Sequence, residues 1–398
     1  MNVAGIVAEY NPFHRGHAWQ IAETRALLGA DTAVVCAMSG HWVQGADCAV
    51  ADKWKRAALA LAGGADLVLE LPTVWAVSSA ECFARGAVSL LAGTGVVTHL
   101  SFGSEAGALA DLQAAAACLD SPEYRAQLRR LVDGGAPFAA ARQAAVRGLL
   151  GPGADCLSAP NNNLGVEYLR ALRALESPIT PLTIPRRSVE HGAAAPAGGF
   201  ASATAIRGLL RAGQPALAAP YLEPGALERL GGEYSDLRLC ERAILARLRA
   251  MRPADWAALP DGGGAEGLPA RLCRAAAQAL SLEEFFALAK TRRYTHARLR
   301  RLALWAFLGL EEADRPAAPP YLRVLGANRT GRALLREMDG AAALPVVTKP
   351  AHARRLPPAA LALFELEARC TDLYGLCRPE IKPCGLEWTT GPVMAQTV

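Results

Sequence analysis

The chain has 398 residues, of which 52% are hydrophobic and 20% charged, and its formal net charge is +5. This composition excludes a largely disordered protein, and the length allows two domains with buried cores. No apolar stretch reaches the length of a membrane span, and the first residues lack the basic segment and cleavage site of a signal peptide. We therefore expect a cytoplasmic protein without membrane association. Its ten cysteines are expected as reduced thiols, and their spacing lacks the close pairs of common zinc sites, so no metal site is predicted.

The first strand leads directly into the segment that carries the most chemistry. Residues 3–8 form a short apolar run typical of a buried strand, and Asn11-Pro12 ends it, because proline keeps the preceding residue out of the helical region. A helix is predicted over 17–28. His14, Gly16 and His17 thus lie at a helix N-terminus, where free backbone N–H groups bind anions. No third ligand is suitably spaced for a zinc site, so the histidines are expected to contact a phosphate.

Strands and helices alternate through the first hundred residues. Strands are predicted over 3–8, 32–37, 67–71 and 96–102, with helices over 17–28, 51–62 and 79–91. This order predicts a Rossmann-like α/β domain with a parallel sheet, in which ligands bind beyond the carboxyl ends of the strands. The loops after three strands, at His14, at 38–40 and at 103–104, should therefore converge on one pocket.

The remainder of the chain is mostly helical by its pattern. Residues 111–150 and 162–175 predict helices, 182–184 a strand, and 202–210 a helix with Ser202 as its N-cap. After about residue 215 the strand signals fade. We therefore predict a Rossmann-like domain over 1–215 and a mainly helical C-terminal domain over 216–398.

One part of the second half is strongly basic. No Asp or Glu occurs between Phe285 and Leu310, whereas six basic residues do. By charge alone, a solvated helix face and a surface for a polyanion such as RNA are equally good interpretations. The basic residues are Lys290, Arg292, Arg293, Arg298, Arg300 and Arg301.

The spacing His14-x-Gly16-His17 resembles the HxGH signature of the nucleotidylyltransferase superfamily, whose members bind ATP or a similar nucleotide and react at its α-phosphate. The segment 202–207 (Ser-Ala-Thr-Ala-Ile-Arg) resembles the second phosphate signature of the same superfamily. Because the segment 202–207 starts a helix, its hydroxyl groups, its N–H groups and Arg207 would hold the β- and γ-phosphates. Simple helix capping by Ser202 and Thr204 is the alternative, and the two roles are compatible.

A more specific resemblance covers most of the chain. The chain is similar to the bacterial tRNA(Met) cytidine acetate ligases at residues 7–17, 37–44, 53–56, 64–72, 83–88, 101–105, 160–162, 164–168, 200–207 and 293–298. The resemblance implies a two-step ligase. Acetate attacks the α-phosphate of ATP to give acetyl-adenylate, and the acetyl group then passes to the wobble cytidine of elongator tRNA(Met). It implies no acetyl-coenzyme A, and Mg²⁺ is expected only because it commonly accompanies ATP.

The resemblance also assigns residues. It implies that His14 and His17 are catalytic and that the basic residues of 290–301 contact tRNA. Arg187 is as good a candidate as Arg186 for reaching a phosphate. The nucleotide-binding residues would be Val7, Ala8, Glu9, Tyr10, Asn11, Pro12, Phe13, His14, Arg15, Gly16, His17, Gly103, Asn162, Arg186, Arg187, Ser202, Thr204 and Arg207.

The chain departs from the family pattern in one loop. Where an Arg-Gly-Glu-Pro-Ala run is expected, residues 45–49 are Gly-Ala-Asp-Cys-Ala. Lys53, Lys55 or Arg56 could replace the missing arginine. Two other functions stay open at this stage: adenylylation of a small phosphate ester, and RNA binding without catalysis. The long basic second half disfavours the first, and the altered loop is compatible with the second.

Overall fold

The strands of the protein are short, and those in the middle of the sheet are almost entirely buried. The structure is a computed structural model that describes residues 1–105, 107–136, 138–186, 200–262 and 267–395, without the side chains of residues 138 and 139. The strands in these residues are β1 Val3–Ala8, β2 Ala33–Ser39, β3 Trp42–Val43, β4 Asp47–Cys48, β5 Leu67–Leu71, β6 His99–Ser104, β7 Thr180–Pro185, β8 Leu322–Ala327, β9 Val346–Val347 and β10 Val393–Met394.

Helices cover both faces of the sheet and form most of the second half. They are α1 Arg15–Leu28, α2 Lys53–Ala62, α3 Thr73–Ala76, α4 Ala80–Ala92, α5 Leu109–Asp120, α6 Pro122–Asp133, α7 Phe138–Leu150, α8 Pro160–Ala174, α9 Ala203–Arg211, α10 Pro215–Ala218, α11 Ala226–Leu230, α12 Glu241–Ala250, α13 Pro253–Ala257, α14 Leu268–Gln278, α15 Leu282–Ala289, α16 His296–Leu308, α17 Arg329–Ala341, α18 Pro350–Ala353, α19 Pro358–Tyr374 and α20 Leu386–Thr389. No helix of the described residues is both long enough and apolar enough to cross a bilayer.

The central sheet has the order β10-β8-β5-β2-β1-β6-β7, with β9 paired to β8. The strands from β5 to β7 are all parallel, as predicted. Because the chain runs outward from β1 to β2 and β5 and then returns to β6 on the other side, the strand order reverses between β1 and β6. In an open α/β sheet this reversal leaves a crevice at the carboxyl ends of the two strands, where ligands bind.

Residues of the inner strands alternate between two hydrophobic cores. Val35 and Ala37 of β2 pack in one core with α4 and α8, whereas Cys36 and Met38 pack in the other with α2 and α9. Both faces of the sheet are therefore covered, which explains why these strands are continuous apolar runs. The predicted strand 67–71 matches β5, and the other predicted strands agree within three residues at each end.

The second half adds strands as well as helices. β8 pairs antiparallel with β5, and β10 lies parallel to β8 at the edge of the sheet. The expectation that strand signals end near residue 215 was therefore wrong for 322–327. Arg323 interrupts the apolar pattern of β8, yet its side chain is buried beside the carboxylate of Glu387. The division of the chain at residue 215 stays a prediction.

Candidate active site

A cavity of about 660 Å³ lies at the crevice between β1 and β6. The loop after β1, the end of β6, helix α8 and the start of α9 surround it. Most of the predicted nucleotide-binding residues line it together, although they come from distant parts of the chain. These residues are Val7, Ala8, Glu9, Tyr10, Asn11, His14, Gly16, His17, Gly103, Arg186, Ser202, Thr204 and Arg207.

Hydrogen bonds from the backbone fix both histidines of the loop after β1. The N–H of Gly16 donates to Nδ1 of His14 at 3.1 Å, and the N–H of His14 donates to Nδ1 of His17 at 3.2 Å. A neutral imidazole that accepts at Nδ1 carries its hydrogen on Nε2. The two rings stack with centroids 3.8 Å apart. The pair thus offers two neighbouring Nε2–H donors beside the N-terminus of α1.

Both imidazoles are uncharged at neutral pH. Burial, together with the positive charges of Arg186 and Arg207, lowers the pKa of His14 from 6.5 to about 4. Burial, together with the nearby His14 and the positive charge of Arg186, holds the pKa of His17 well below its ordinary value. The histidines can therefore donate hydrogen bonds to a phosphate while the positive charge of the cavity comes from the arginines.

The side chain of Arg56 holds the ends of two strands in place. It is completely buried, and it donates to the backbone oxygens of Glu9, Ser39, Gly40 and Ala51. Glu9 directly follows β1 and Gly40 directly follows β2, so one guanidinium group joins the loops that begin the cavity wall. The fully buried Lys53 is paired with Glu70 at 2.6 Å and with Glu387. Neither side chain reaches the cavity, so the expectation that Lys53 or Arg56 replaces the missing loop arginine was wrong.

Gly103 provides room for Arg186. A Cβ atom at Gly103 would lie 3.1 Å from Cγ of Arg186, which crosses the end of β6 on its way into the cavity. Nη1 of Arg186 donates to Oδ1 of Asn161 at 3.0 Å. The resemblance implies that Gly103 contacts the nucleotide, which stays a prediction, and the structure adds that a glycine here leaves room for this arginine.

Asn161, rather than Asn162, lines the cavity. The side chain of Asn162 is buried, accepts from the N–H of Glu105 and donates to the carbonyl of Cys156, both at 3.0 Å. It therefore anchors the loop after β6 to the start of α8. A nucleotide contact by Asn162 stays a prediction.

The start of α9 forms the opposite wall. Ser202 caps the helix, since its hydroxyl accepts from the N–H of Ala205 at 3.1 Å. Arg207 donates to the carbonyl of Asn11 at 2.8 Å and to the hydroxyl of Thr204 at 3.0 Å. The segment 202–207, which resembles the second phosphate signature, thus lies against the loop after β1. The N-termini of α1 and α9 therefore face the same cavity.

Three other predicted residues of the first loop do not line the cavity, and their contact with a nucleotide stays a prediction. Pro12 and Phe13 are buried, Phe13 against Gly63, and Arg15 is exposed. Arg187 lies outside the described residues. Sequence reasoning missed Gln20, Asn161, Leu164 and Tyr168, which also line the cavity. Their spacing was a usable signal, because Gln20 follows His17 by three residues and the last three share one face of α8.

The predicted tRNA-binding residues lie around the start of α16. Lys290, Arg292, Arg293 and Arg300 are exposed. Arg298 donates to the carbonyl of Asp261 at 2.9 Å, and Arg301 pairs with its carboxylate at 3.5 Å. Contact of this surface with RNA stays a prediction.

Within the described ranges, no group of three or more His, Cys, Asp or Glu side chains could hold a metal ion. The residues that line the cavity offer mainly donors and positive charges, which suit phosphate oxygens. Mg²⁺, which is expected because it commonly accompanies ATP, stays a prediction.

Comparisons with known proteins agree with this geometry. A family model described as HIGH Nucleotidyl Transferase matches residues 1–386. The tRNA(Met) cytidine acetate ligase of Acetivibrio thermocellus is 34% identical over 98% of this chain and 99% of its own length. That of Caldanaerobacter subterraneus is 35% identical over 94% of this chain and 95% of its own length.

Solved structures of Thermotoga maritima TmcAL are similar over the whole length of both chains, at 32% identity. The TM-score is 0.91 for the form bound with alpha-thio ATP and 0.92 for the apo form. The chain therefore belongs to the tRNA(Met) cytidine acetate ligase family of HIGH nucleotidyl transferases.

Proposed function

We propose that the protein is an ATP-dependent ligase that activates acetate as acetyl-adenylate and acetylates the wobble cytidine of elongator tRNA(Met). The observation that carries the proposal is that both segments with phosphate-binding signatures line one cavity at the reversal of strand order. Relatives named for this reaction over the full chain, and a similar structure bound with alpha-thio ATP, support it.

In the first step, an acetate oxygen attacks the α-phosphorus of ATP, and the bond to the bridging oxygen of the β-phosphate breaks, releasing pyrophosphate. Negative charge grows on the phosphate oxygens during this step. The Nε2–H groups of His14 and His17, with Arg186 and Arg207, are fixed donors placed to stabilise that charge. Because their partners in the protein hold them, little reorganisation is needed as the reaction proceeds.

In the second step, the exocyclic amine of the cytidine attacks the carbonyl carbon of acetyl-adenylate. A C–N bond forms, the bond between the carbonyl carbon and the phosphate oxygen breaks, AMP leaves, and the nitrogen loses one proton. The acyl-adenylate is already activated, so positioning of the base can supply much of the rate. The base must leave its stack to reach the cavity, which suits an anticodon loop.

The proposal also includes a metal ion, a surface that contacts tRNA and a cellular location. Mg²⁺ would enter with ATP and neutralise phosphate charge, and acetyl-coenzyme A would not be required. The exposed basic residues around α16 would contact tRNA phosphates, so binding should weaken with salt. We place the enzyme in the cytoplasm, where its tRNA substrate occurs.

The test is acetate-dependent exchange of labelled pyrophosphate into ATP by the purified protein and by His14→Ala. We expect exchange that requires acetate and falls at least about 100-fold in the variant, the cost typical of losing a fixed donor to a charged intermediate. Acetylation of unmodified tRNA(Met) with release of AMP would complete the assignment. Absence of exchange with tRNA present would favour an RNA-binding protein without catalysis, whereas a dinucleotide-like product would indicate adenylylation of a small phosphate ester.

A further inference from the structure

A second and larger cavity adjoins the nucleotide cavity. Its volume is about 980 Å³, and it lies between the loop 43–47, helix α9 and helices α12, α15 and α16 of the second half. We refer to it as the acceptor cavity. Glu9, Thr204 and Arg207 line both cavities, so the two share one wall.

Two arginines give the acceptor cavity a positive character. Asp47 is neutralised by Arg211 at 3.0 Å, and Asp236 is neutralised by Arg238. Among the described residues, no carboxylate lies within ion-pair distance of Arg207 or Arg300, which are the other arginines of the lining. Arg207 lies at the shared wall, and Arg300 is exposed on α16 among the basic residues noted above. Positive charge therefore extends from Arg300 on the basic surface to Arg207 inside the cavity.

The other walls are apolar and partly aromatic. The guanidinium group of Arg300 lies 6.0 Å from the ring centre of Phe286, and Leu282, Ala303 and Leu304 line the same side. An unstacked base binds such surfaces through its ring face, while arginines bind its phosphates. The volume of about 980 Å³ lies at the upper end of the roughly 300–1,000 Å³ that drug-sized ligands occupy, so the cavity has room for a single nucleotide.

Glu9 marks the point where the two cavities meet. Its Oε1 accepts the N–H of Gln44 at 2.8 Å, and none of the described residues donates to its Oε2. Burial raises the pKa of Glu9 above 4.5, although the N–H of Gln44 and the charge of Arg207 oppose that shift. A carboxylate with a free oxygen is an acceptor for the N–H of an amine, and a raised pKa makes it a better acceptor of a proton.

We infer that the acceptor cavity receives the unstacked RNA base, with its exocyclic amine directed through the shared wall at Glu9 toward the acyl-adenylate. This inference rests on the proposed function and adds the site and the direction of approach of the second substrate. The amine nitrogen attacks the carbonyl carbon, AMP leaves with the oxygen of the broken bond, and Glu9 takes the proton that the nitrogen loses. Arg300 and its basic neighbours hold the flanking phosphates outside the cavity.

Glycines in the lining allow the cavity to be filled without disturbing its walls. A Cβ atom at Gly208 of α9 or at Gly45 of the opposite loop would meet nothing within 4 Å. Tryptophan at either position can therefore extend into the cavity. Gly340 on α17 is equally open but lies outside both linings, so Gly340→Trp is a matched control.

The experiment measures two activities of each full-length variant: acetate-dependent pyrophosphate exchange, and acetylation of unmodified tRNA(Met). We expect Gly208→Trp and Gly45→Trp to keep exchange within about twofold of the unsubstituted protein and to lose acetylation at least 10-fold in kcat/KM for tRNA, a loss of about 1.4 kcal/mol. Gly340→Trp should keep both activities. Thermal melting of each variant shows whether it folds. Because tryptophan is placed at two separate positions, the conclusion does not depend on the folding of one variant.

Normal acetylation by both tryptophan variants would overturn the inference, and so would equal loss of both activities in folded protein, because the cavity would then belong to the nucleotide. Failure of the proposed function is distinguishable, since the unsubstituted protein itself would then show no acetate-dependent exchange.

The role of Glu9 has a separate test that bypasses ATP. Supplied acetyl-adenylate should acetylate tRNA at least about 10-fold more slowly with Glu9→Gln, and the loss should shrink as pH rises and hydroxide replaces the missing base. Transfer by Glu9→Gln at the rate and with the pH profile of the unsubstituted protein would remove Glu9 from the mechanism.

Discussion

Each histidine of the HxGH segment owes its chemical state to its neighbours in the fold. Backbone N–H groups occupy Nδ1 of both rings, and burial beside arginines keeps both rings uncharged. Gly16 is essential to this arrangement, because its N–H is one of the donors and its lack of a side chain leaves room for the ring of His14. The His14-x-Gly16-His17 pattern thus determines the tautomers of both imidazoles as well as their hydrogen bonds.

We predict that Gly16→Ala disturbs the site without unfolding the protein. The new Cβ atom would lie 2.9 Å from Cε1 of His14 and would displace the ring that donates to phosphate. Exchange of pyrophosphate should fall roughly 10- to 100-fold, since a shift of about 1 Å costs rates of that order. Gly208→Ala, at an open position, is the control. Equal exchange rates in the two variants would contradict the prediction.

We predict that the stability of the protein decreases as the pH falls, because protonation of His14 is unfavourable in the folded state. Its folded-state pKa of about 4 lies below the ordinary 6.5, so between these values the unfolded chain binds more protons. The stabilising contribution is complete above pH 6.5 and is lost as pH falls toward 4. Urea unfolding measures the free energy of unfolding at pH 7 and at pH 5. The decrease between these pH values should be roughly 1–2 kcal/mol larger for the unsubstituted protein than for His14→Gln. Parallel pH dependences would refute this.

At the scale of elements, the site depends on where strands end. β1 and β2 are adjacent and parallel, so the loops that follow them leave the sheet at the same edge. Arg56 of α2 connects these loops through their carbonyl groups, and Arg207 of α9 connects the first loop to the second phosphate-binding segment. The cavity wall is therefore joined mainly by arginine–carbonyl hydrogen bonds between elements.

Arg56→Met should destabilise the protein by about 3–5 kcal/mol, because buried carbonyls lose a charged donor that water cannot replace. The neighbouring Lys55 is the control, since it is only partly buried and makes one hydrogen bond, to the carbonyl of Leu230 at 2.7 Å. Lys55→Met should cost about 1 kcal/mol. Denaturant unfolding measures both values, and similar costs for the two would contradict the assigned role of Arg56.

At the scale of the whole molecule, the second half completes the sheet that the first half begins. β8 covers the open edge of β5, and Glu387 of α20 pairs with the buried Lys53 of α2. Glu367 of α19 reaches back in the same way, accepting from the N–H and the hydroxyl of Thr73. A buried charge that loses its partner is strongly destabilising, so the two halves depend on each other.

We expect a fragment of residues 1–215 to aggregate or to melt without cooperativity, whereas the full chain melts cooperatively. The fragment would expose the edge of β5 and would leave Lys53 with Glu70 as its partner but without Glu387. Calorimetry and gel filtration of both proteins provide the test. A soluble fragment with a cooperative transition would establish residue 215 as a true domain boundary.

Local sequence determined the first strands, the helix starts and the phosphate-binding segments. Apolar runs, Asn11-Pro12 and the His14-x-Gly16-His17 spacing are signals carried by neighbouring residues, and neighbours share a strand or a helix turn. The convergence of the first and fourth strands also follows from sequence, since βα alternation restricts the topology to a few arrangements.

Only the tertiary structure decided which residues of the second half belong to the sheet and which side chains face the cavity. Arg323 looks like a surface residue until Glu387, 64 positions later, is placed beside it. Asn161 and Asn162 are chemically the same, and only the packing of α8 against β6 places one at the cavity and buries the other, where it donates to the carbonyl of Cys156. The physical reason is that burial and charge pairing depend on residues far apart in the chain, which no local pattern records.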